Sequence, residues 1–365
     1  MTKKLLFSAL LSVSLICSCG EPVKINNEVS IPPESTTEKT TQPVTESPQE
    51  VTEISTSYSE KEGYHWEGST LDMHSYVAGI VPQPPLWKVY DPQTDHTLYL
   101  MGTIHASCGY TFPLDQTVNE IYENSDGIAV EYNVNDLSKS DQLKKEYFSY
   151  MKYSDGTGIQ SHLPEQVYKR AKEYLESQGR YTESMEDYNV AYWYNTISAL
   201  PLSRIDNLSS LGVEGEFIEK AESDGKDVLS IENLQTQADA VAGYSDRLAE
   251  YFIESTLSDF SENMIVQNLT INFANTYNFW IIGNDESMLK VFESSFDIPD
   301  FLTDDYNEYK DKLLKNRNVH MAETASQLLK EGKNYLFMVG SLHYAGENGV
   351  DNLLSEMGYT VEELS

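Results

Sequence analysis

The chain has 365 residues, 58 acidic against 25 basic side chains, and a formal net charge of −33 with no compensating basic cluster, which excludes nucleic acid as a partner. The acid reads as a solvated surface rather than a dedicated acidic tail. Only three cysteines are present, so disulfides do not build the fold and a hydrophobic core must.

Lys3 and Lys4 precede the apolar run Leu5 to Ile16, which is too short to span a bilayer and reads as an export signal. The run ends in Ile16-Cys17-Ser18-Cys19, which resembles a bacterial lipobox. Residues 1–18 are expected to be removed as a lipoprotein signal peptide. Cys19 would then carry the acyl chains, palmitate among them, that anchor the protein to the outer side of the cell membrane. Cys17 is the poorer acceptor, because Ile16 would then occupy the cleavage position; ordinary secretion is the alternative. With Cys17 removed and Cys19 lipidated, Cys108 has no partner in the chain.

Residues 19–62 are rich in Ser, Thr, Pro and Glu, as in Pro32-Pro33-Glu34-Ser35-Thr36-Thr37, and cannot bury a core. They are expected to be a disordered tether with a reach of roughly 35 Å. The folded domain, residues 63–365, is expected to begin near Tyr64.

Trp87 to Tyr90 and Thr97 to Gly102 are strand patterns joined by the turn Asp91-Pro92-Gln93-Thr94-Asp95. A helix is predicted over Leu114–Asn124, then the strand Gly127 to Tyr132. From Leu137 to about Asn207 the pattern is helical and Tyr-rich, at a spacing that favours core packing over ligand stacking. A helix over Glu214–Ser223 leads to the strand Asp227 to Glu232, followed by helices including Tyr244–Phe260 and Met264–Ile282. A helix over Lys315–Glu331 precedes the continuous apolar run Tyr335 to Gly340, typical of a central strand. A last helix, Gly349–Met357, precedes an edge strand, Thr360 to Leu364. The fold class is therefore α/β. A central mixed sheet is built from the N- and C-terminal parts of the domain and flanked by helices, with a large helical middle insertion.

Two apolar strands end in one signature, Gly102-Thr103-Ile104-His105 and Gly340-Ser341-Leu342-His343. Ligand sites in α/β sheets form at the carboxyl ends of strands, and two imidazoles placed there can share one metal ion. Glu131 and Glu232 likewise follow buried-looking strands, as ligands or bases, or as capping and surface residues at a strand exit. Cys108, three residues beyond His105, is a weak candidate as nucleophile or ligand because an exposed reactive thiol outside the cell would oxidise.

From about Leu98 to Leu364 the ordered series of motifs resembles the TraB/PrgY/GumN family and its metalloprotease-like relatives of the TIKI type. It runs from Gly102-Thr103-Ile104-His105 and Ser125 to Glu131, through Leu211-Gly212-Val213-Glu214, Ile231-Glu232 and Gln237, to Arg317-Asn318-Val319-His320 and Val339 to His343. The resemblance implies a shared α/β fold and, for some relatives, metal-dependent cleavage of peptide bonds. His105, His343 and Glu131 then match the proposed metal and catalytic residues. Glu214 stands where an aspartate is common.

The expected activity is that of a divalent-metal hydrolase cleaving peptides or proteins at the cell surface. His105 and His343 hold the ion and Glu131 is a third ligand or the general base. Arg317 with Asn318, opening a helix, would steady the oxyanion or the substrate terminus, or Arg317 would only pair with acid. Two histidines and a carboxylate suit zinc, manganese or cobalt. Gly102, Gly340, Glu214, Glu232 and His320 are further candidates. The alternative is a surface protein that captures a peptide signal or other ligand without cleaving it; haem or metal capture by the histidine pair is a weaker third reading.

Overall fold

A computed structural model describes residues 80–108, 111–200, 208–209, 211–257, 273–295 and 297–365. The expected signal peptide, Cys19, the expected tether, Tyr64 and much of the predicted Met264–Ile282 helix lie outside them; residues 273–280 of that helix are described and helical. Among the described residues no helix is long and apolar enough to cross a membrane.

Strand β1 (Leu86–Asp91) turns back on β2 (His96–Thr103) as an antiparallel hairpin. The turn forms where Asp91 accepts hydrogen bonds from the Gln93 amide at 2.8 Å and the Thr94 hydroxyl at 2.9 Å, and where Asp95 takes φ of 62°. Asp is one of the few side chains that tolerate that left-handed region. A two-residue β3 (Ser107–Cys108) pairs with β5 (Leu208–Ser209) outside the main sheet.

The remaining strands are β4 (Gly127–Val130), β6 (Asp227–Ser230), β7 (Tyr335–Gly340) and β8 (Thr360–Glu363). The main sheet runs β6-β4-β7-β2-β1-β8, with β6, β4, β7 and β2 mutually parallel and β1 antiparallel to both its neighbours. The expected mixed sheet of N- and C-terminal strands is therefore present. The middle of the chain contributes one strand of its own, β6, at an edge.

Strand β7 is buried along its whole length, as its unbroken apolar run requires. Alternate residues enter opposite layers: Leu336 and Met338 face the large core shared with the helical middle, while Tyr335, Phe337 and Val339 face a smaller core. The Asn316–Glu331 and Val350–Glu356 helices close the smaller core with Met321, Ala322, Ala325, Val350 and Leu354. In the Tyr-rich stretch Tyr147 and Tyr194 are buried in the large core, and Tyr168, Tyr174, Tyr181, Tyr188 and Tyr192 pack half-buried against it, as the spacing suggests.

Candidate functional site at the carboxyl ends of three parallel strands

Register brings the signature segments together. In the parallel pair of β2 and β7, Gly102 faces Val339 and Thr103 faces Gly340, so the two Gly-x-x-His segments leave the sheet side by side. On the other flank of β7, Val130 faces Met338, which delivers Glu131 to the same edge. One strand further out, the Glu232 amide donates to the Glu131 carbonyl at 2.9 Å, setting Glu232 beside Glu131.

Glycine at the head of each signature has a steric reason. A Cβ on Gly102 would stand 2.6 Å from the Ser341 hydroxyl oxygen. A Cβ on Gly340 would stand 3.1 Å from His105 Nε2 and 3.2 Å from Glu131 Oε1, with the His343 ring at 3.7 Å. His105, Glu131 and His343 therefore converge around Gly340. The Gly340 amide itself donates to Glu131 Oε1 at 2.8 Å.

Glu131 Oε1 lies 3.9 Å from His105 Nε2 and 3.6 Å from His343 Nε2. Its second oxygen, Oε2, accepts from Arg317 Nη2 at 2.5 Å. Arg317 also donates from Nε and Nη2 to the two oxygens of Glu232, both at 2.8 Å, and from Nη1 to the Leu313 carbonyl. Gln237 Nε2 donates to Glu232 Oε2 at 2.5 Å and reaches Glu131 Oε2 at 3.4 Å. All four of these side chains are buried.

Arg317 and Asn318 are both buried. The Arg317 guanidinium is a buried counter-ion for two carboxylates. Asn318 is 2 % exposed, with Oδ1 at 2.5 Å from His343 Nδ1 and Nδ2 donating to the Asn348 carbonyl at 2.7 Å. Consecutive residues reach inward together at the head of the Asn316–Glu331 helix, just after a π-helical turn, Asp311–Lys315. Such turns recur at functional sites.

Glu214 is carried in by the Gly212–Asp224 helix, whose first residue takes φ of +60° and packs so tightly on the strand exit that a Cβ would meet the His105 carbonyl carbon at 2.6 Å. The Val213 amide donates to the Ile104 carbonyl at 3.0 Å. This contact sets Glu214 Oε2 3.6 Å from His105 Nδ1, on the far side of the ring from Glu131. His320 lies elsewhere: its Nε2 meets the Ile231 carbonyl at 3.0 Å on the exposed side of its helix, and it does not join the cluster.

Burial dominates the electrostatics. It is the largest single influence on Glu131 and works against its charge, but the Arg317 guanidinium, the two imidazoles and the Gly340 amide together outweigh it and hold that carboxyl well below the usual range. Burial and then the nearby Arg317 push His343 down to about 3, and burial lowers His105. Burial, reinforced by the Glu131 charge, lifts the Glu214 carboxyl well above its ordinary value. The resting centre thus holds two neutral imidazoles and one carboxylate, Glu131, with Arg317 as the cation shared between Glu131 and Glu232.

Among the described residues, His343 Nε2 has no hydrogen-bond partner although it is buried. Among the described residues no group of three or more His, Cys, Asp or Glu is already closed around an ion-sized point. The 3.6 and 3.9 Å separations exceed by a few tenths of an ångström the roughly 3.3 Å between ligands of a tetrahedral ion. The donor chemistry nevertheless fits a cation. Electron-rich atoms, the Glu131 carboxylate among them, face one another across a small gap.

Gln237, the Gly340 amide and the Asn348 carbonyl support the site without having been marked for it by the strand-end pattern. Gln237 had a signal, an amide at the start of the helix that follows Glu232. The two backbone groups had none.

Fold and cluster together define an α/β domain with a buried His-Glu-His centre braced by an arginine. The chain belongs to the TraB/PrgY/gumN family, whose model matches residues 85–363. It is similar to the metalloprotease TIKI2 of Danio rerio, 22 % identical over 80 % of this chain and 62 % of that protein. It is also similar to the metalloprotease TIKI1 of Xenopus tropicalis, 20 % identical over 76 % of this chain and 60 % of that protein. The chain thus spans about six tenths of the length of these two relatives. No solved structure matches it.

Proposed function

We propose that this protein is a divalent-metal-dependent hydrolase of peptide bonds, lipid-anchored through Cys19 to the outer face of a bacterial cell membrane. The observation that carries the reading is the convergence of His105 Nε2, Glu131 Oε1 and His343 on the space above Gly340. The relatives named metalloproteases support peptides or proteins as the substrate class. The leader and its Cys19 support the anchor.

His105, Glu131 and His343 would hold the ion. When bound, zinc, manganese or cobalt would polarise a substrate carbonyl and lower the pKa of a bound water. Glu131 acts as ligand rather than base, because a carboxylate held so low by Arg317 is a weak proton acceptor. Arg317 and Gln237 fix the Glu131 carboxylate, and Glu232 fixes Arg317. Glu214 Oε2 stands 3.6 Å from the outer nitrogen of His105, beside the ring but not hydrogen-bonded to it.

The test is metal analysis of the purified protein, followed by digestion of a peptide library by wild type and His343→Ala. Metal-dependent cleavage abolished by the substitution supports the reading. Tight peptide binding with no cleavage under any of the three metals replaces it with a non-catalytic surface binder.

A further inference from the structure

We propose that Asn318 is a positioning residue that fixes the tautomer of His343, holding the ring proton on Nδ1 and leaving the Nε2 lone pair directed at the centre. The consequence for metal binding rests on the function proposed above, but the tautomer does not.

The deduction starts from a group with no choice. The Asn348 backbone carbonyl can only accept, and an atom of the Asn318 amide lies 2.7 Å from it. If the amide were turned over, two carbonyl oxygens would face each other at that distance. Nδ2 therefore faces Asn348 and Oδ1 faces His343 Nδ1 at 2.5 Å. Oδ1 is in turn an acceptor only, so Nδ1 carries the proton.

The far side of the ring agrees. His343 is fully buried and its Nε2 has no hydrogen-bond partner among the described residues. The carboxylate beside it, Glu131 Oε1, stands 3.6 Å away and is engaged by the Gly340 amide at 2.8 Å. A proton on Nε2 would have drawn that carboxylate in. The clamp is local in origin: Asn348 lies five residues after His343, so the loop leaving the histidine returns to hold the amide that holds the ring. Among the described residues His105 has no equivalent, because Glu214 stands 3.6 Å from its Nδ1, beyond hydrogen-bond reach.

The experiment is nitrogen-15 NMR of the histidine rings in the metal-free full chain at neutral pH, with His343 assigned by its loss in His343→Gln. Wild type should show Nδ1 protonated and Nε2 with a free lone pair. In Asn318→Ala, Glu131 is the remaining acceptor and the Nε2-protonated form should become the major one. In Asn318→Asp, the acceptor facing Nδ1 is kept while the Asn348 carbonyl loses its donor, and the wild-type tautomer should persist. Zinc affinity, titrated separately, should fall ~10–100-fold in Asn318→Ala. An Nε2-protonated or doubly protonated ring in wild type overturns the proposal, as does an unchanged tautomer in Asn318→Ala. Should Asn318→Ala fail to fold, wild type and Asn318→Asp still decide, since both must carry the proton on Nδ1. A wild-type ring with the proposed tautomer in a protein that binds no divalent ion leaves this inference standing and removes the metal reading alone.

Discussion

Replacing Arg317 by methionine tests the electrostatic account of the centre most directly. Methionine keeps much of the volume but removes the cation between Glu131 and Glu232. Three charge-assisted hydrogen bonds to those carboxylates are lost, at 2.5, 2.8 and 2.8 Å, together with the one to the Leu313 carbonyl. Summing them at about 1.5–3 kcal/mol each would overcount, because the pair also carries a desolvation penalty. Removing one partner of a buried ion pair costs about 3–5 kcal/mol. At roughly 2–4 °C per kcal/mol this is a drop in Tm on the order of 6–20 °C.

The sign of the pH dependence should also change. In wild type the Glu131 carboxyl is depressed, so its contribution is present above its unfolded pKa and is lost only as pH falls through the low folded value. Without Arg317, burial is the leading influence and lifts the folded pKa. Stability is then lost as pH rises through that raised value. Urea unfolding of wild type and Arg317→Met from pH 5 to 8 reads this slope. A variant within about 1 kcal/mol of wild type, with a parallel pH profile, would refute the account.

Gly340→Ala should keep the fold, at about 1–3 kcal/mol for the crowding, and abolish zinc binding, because the new Cβ stands 3.1 Å from His105 Nε2; calorimetric zinc titration beside a thermal melt separates the two effects. Gly212→Ala combines φ of +60° with a 2.6 Å approach to the His105 backbone and should cost at least about 1–3 kcal/mol in urea unfolding; a loss below about 0.5 kcal/mol would contradict that packing. Asp351, lifted to about 6 by burial, binds its proton more tightly folded than unfolded, so its contribution declines as pH rises from about 4 to 6. The Tm difference between Asp351→Asn and wild type should therefore favour the variant increasingly over that range, and a constant difference would count against it. Cys19→Ala should abolish incorporation of a labelled palmitate analogue and release the protein from the membrane fraction; retained label would move the anchor elsewhere.

Local chemistry made much of this protein legible before any fold was known. The Asp91 to Asp95 turn, the unbroken apolar run of β7 and the helix ending at Gly332 each follow from dihedral preference and hydrophobic period acting over a few residues. The repeated Gly-x-x-His endings and the glutamates after β4 and β6 were equally visible, because a polar residue that closes a buried strand is conspicuous in one dimension. Sequence could not say that these ends meet. Convergence needs β4, β7 and β2 to be neighbours, parallel and in the observed register, and pairing between residues more than two hundred positions apart is a property of the whole sheet.

The partners were hidden for the same reason. Nothing around Arg317 and Asn318 distinguishes a residue that meets substrate from one that braces the centre. Only the packing of their helix spends the guanidinium on Glu131 and Glu232 and turns the Asn318 amide between His343 and Asn348. The sequence by itself determined the strand ends and their chemistry. The tertiary structure decided which charges are buried together, and burial sets what each ionisable group at this centre can do.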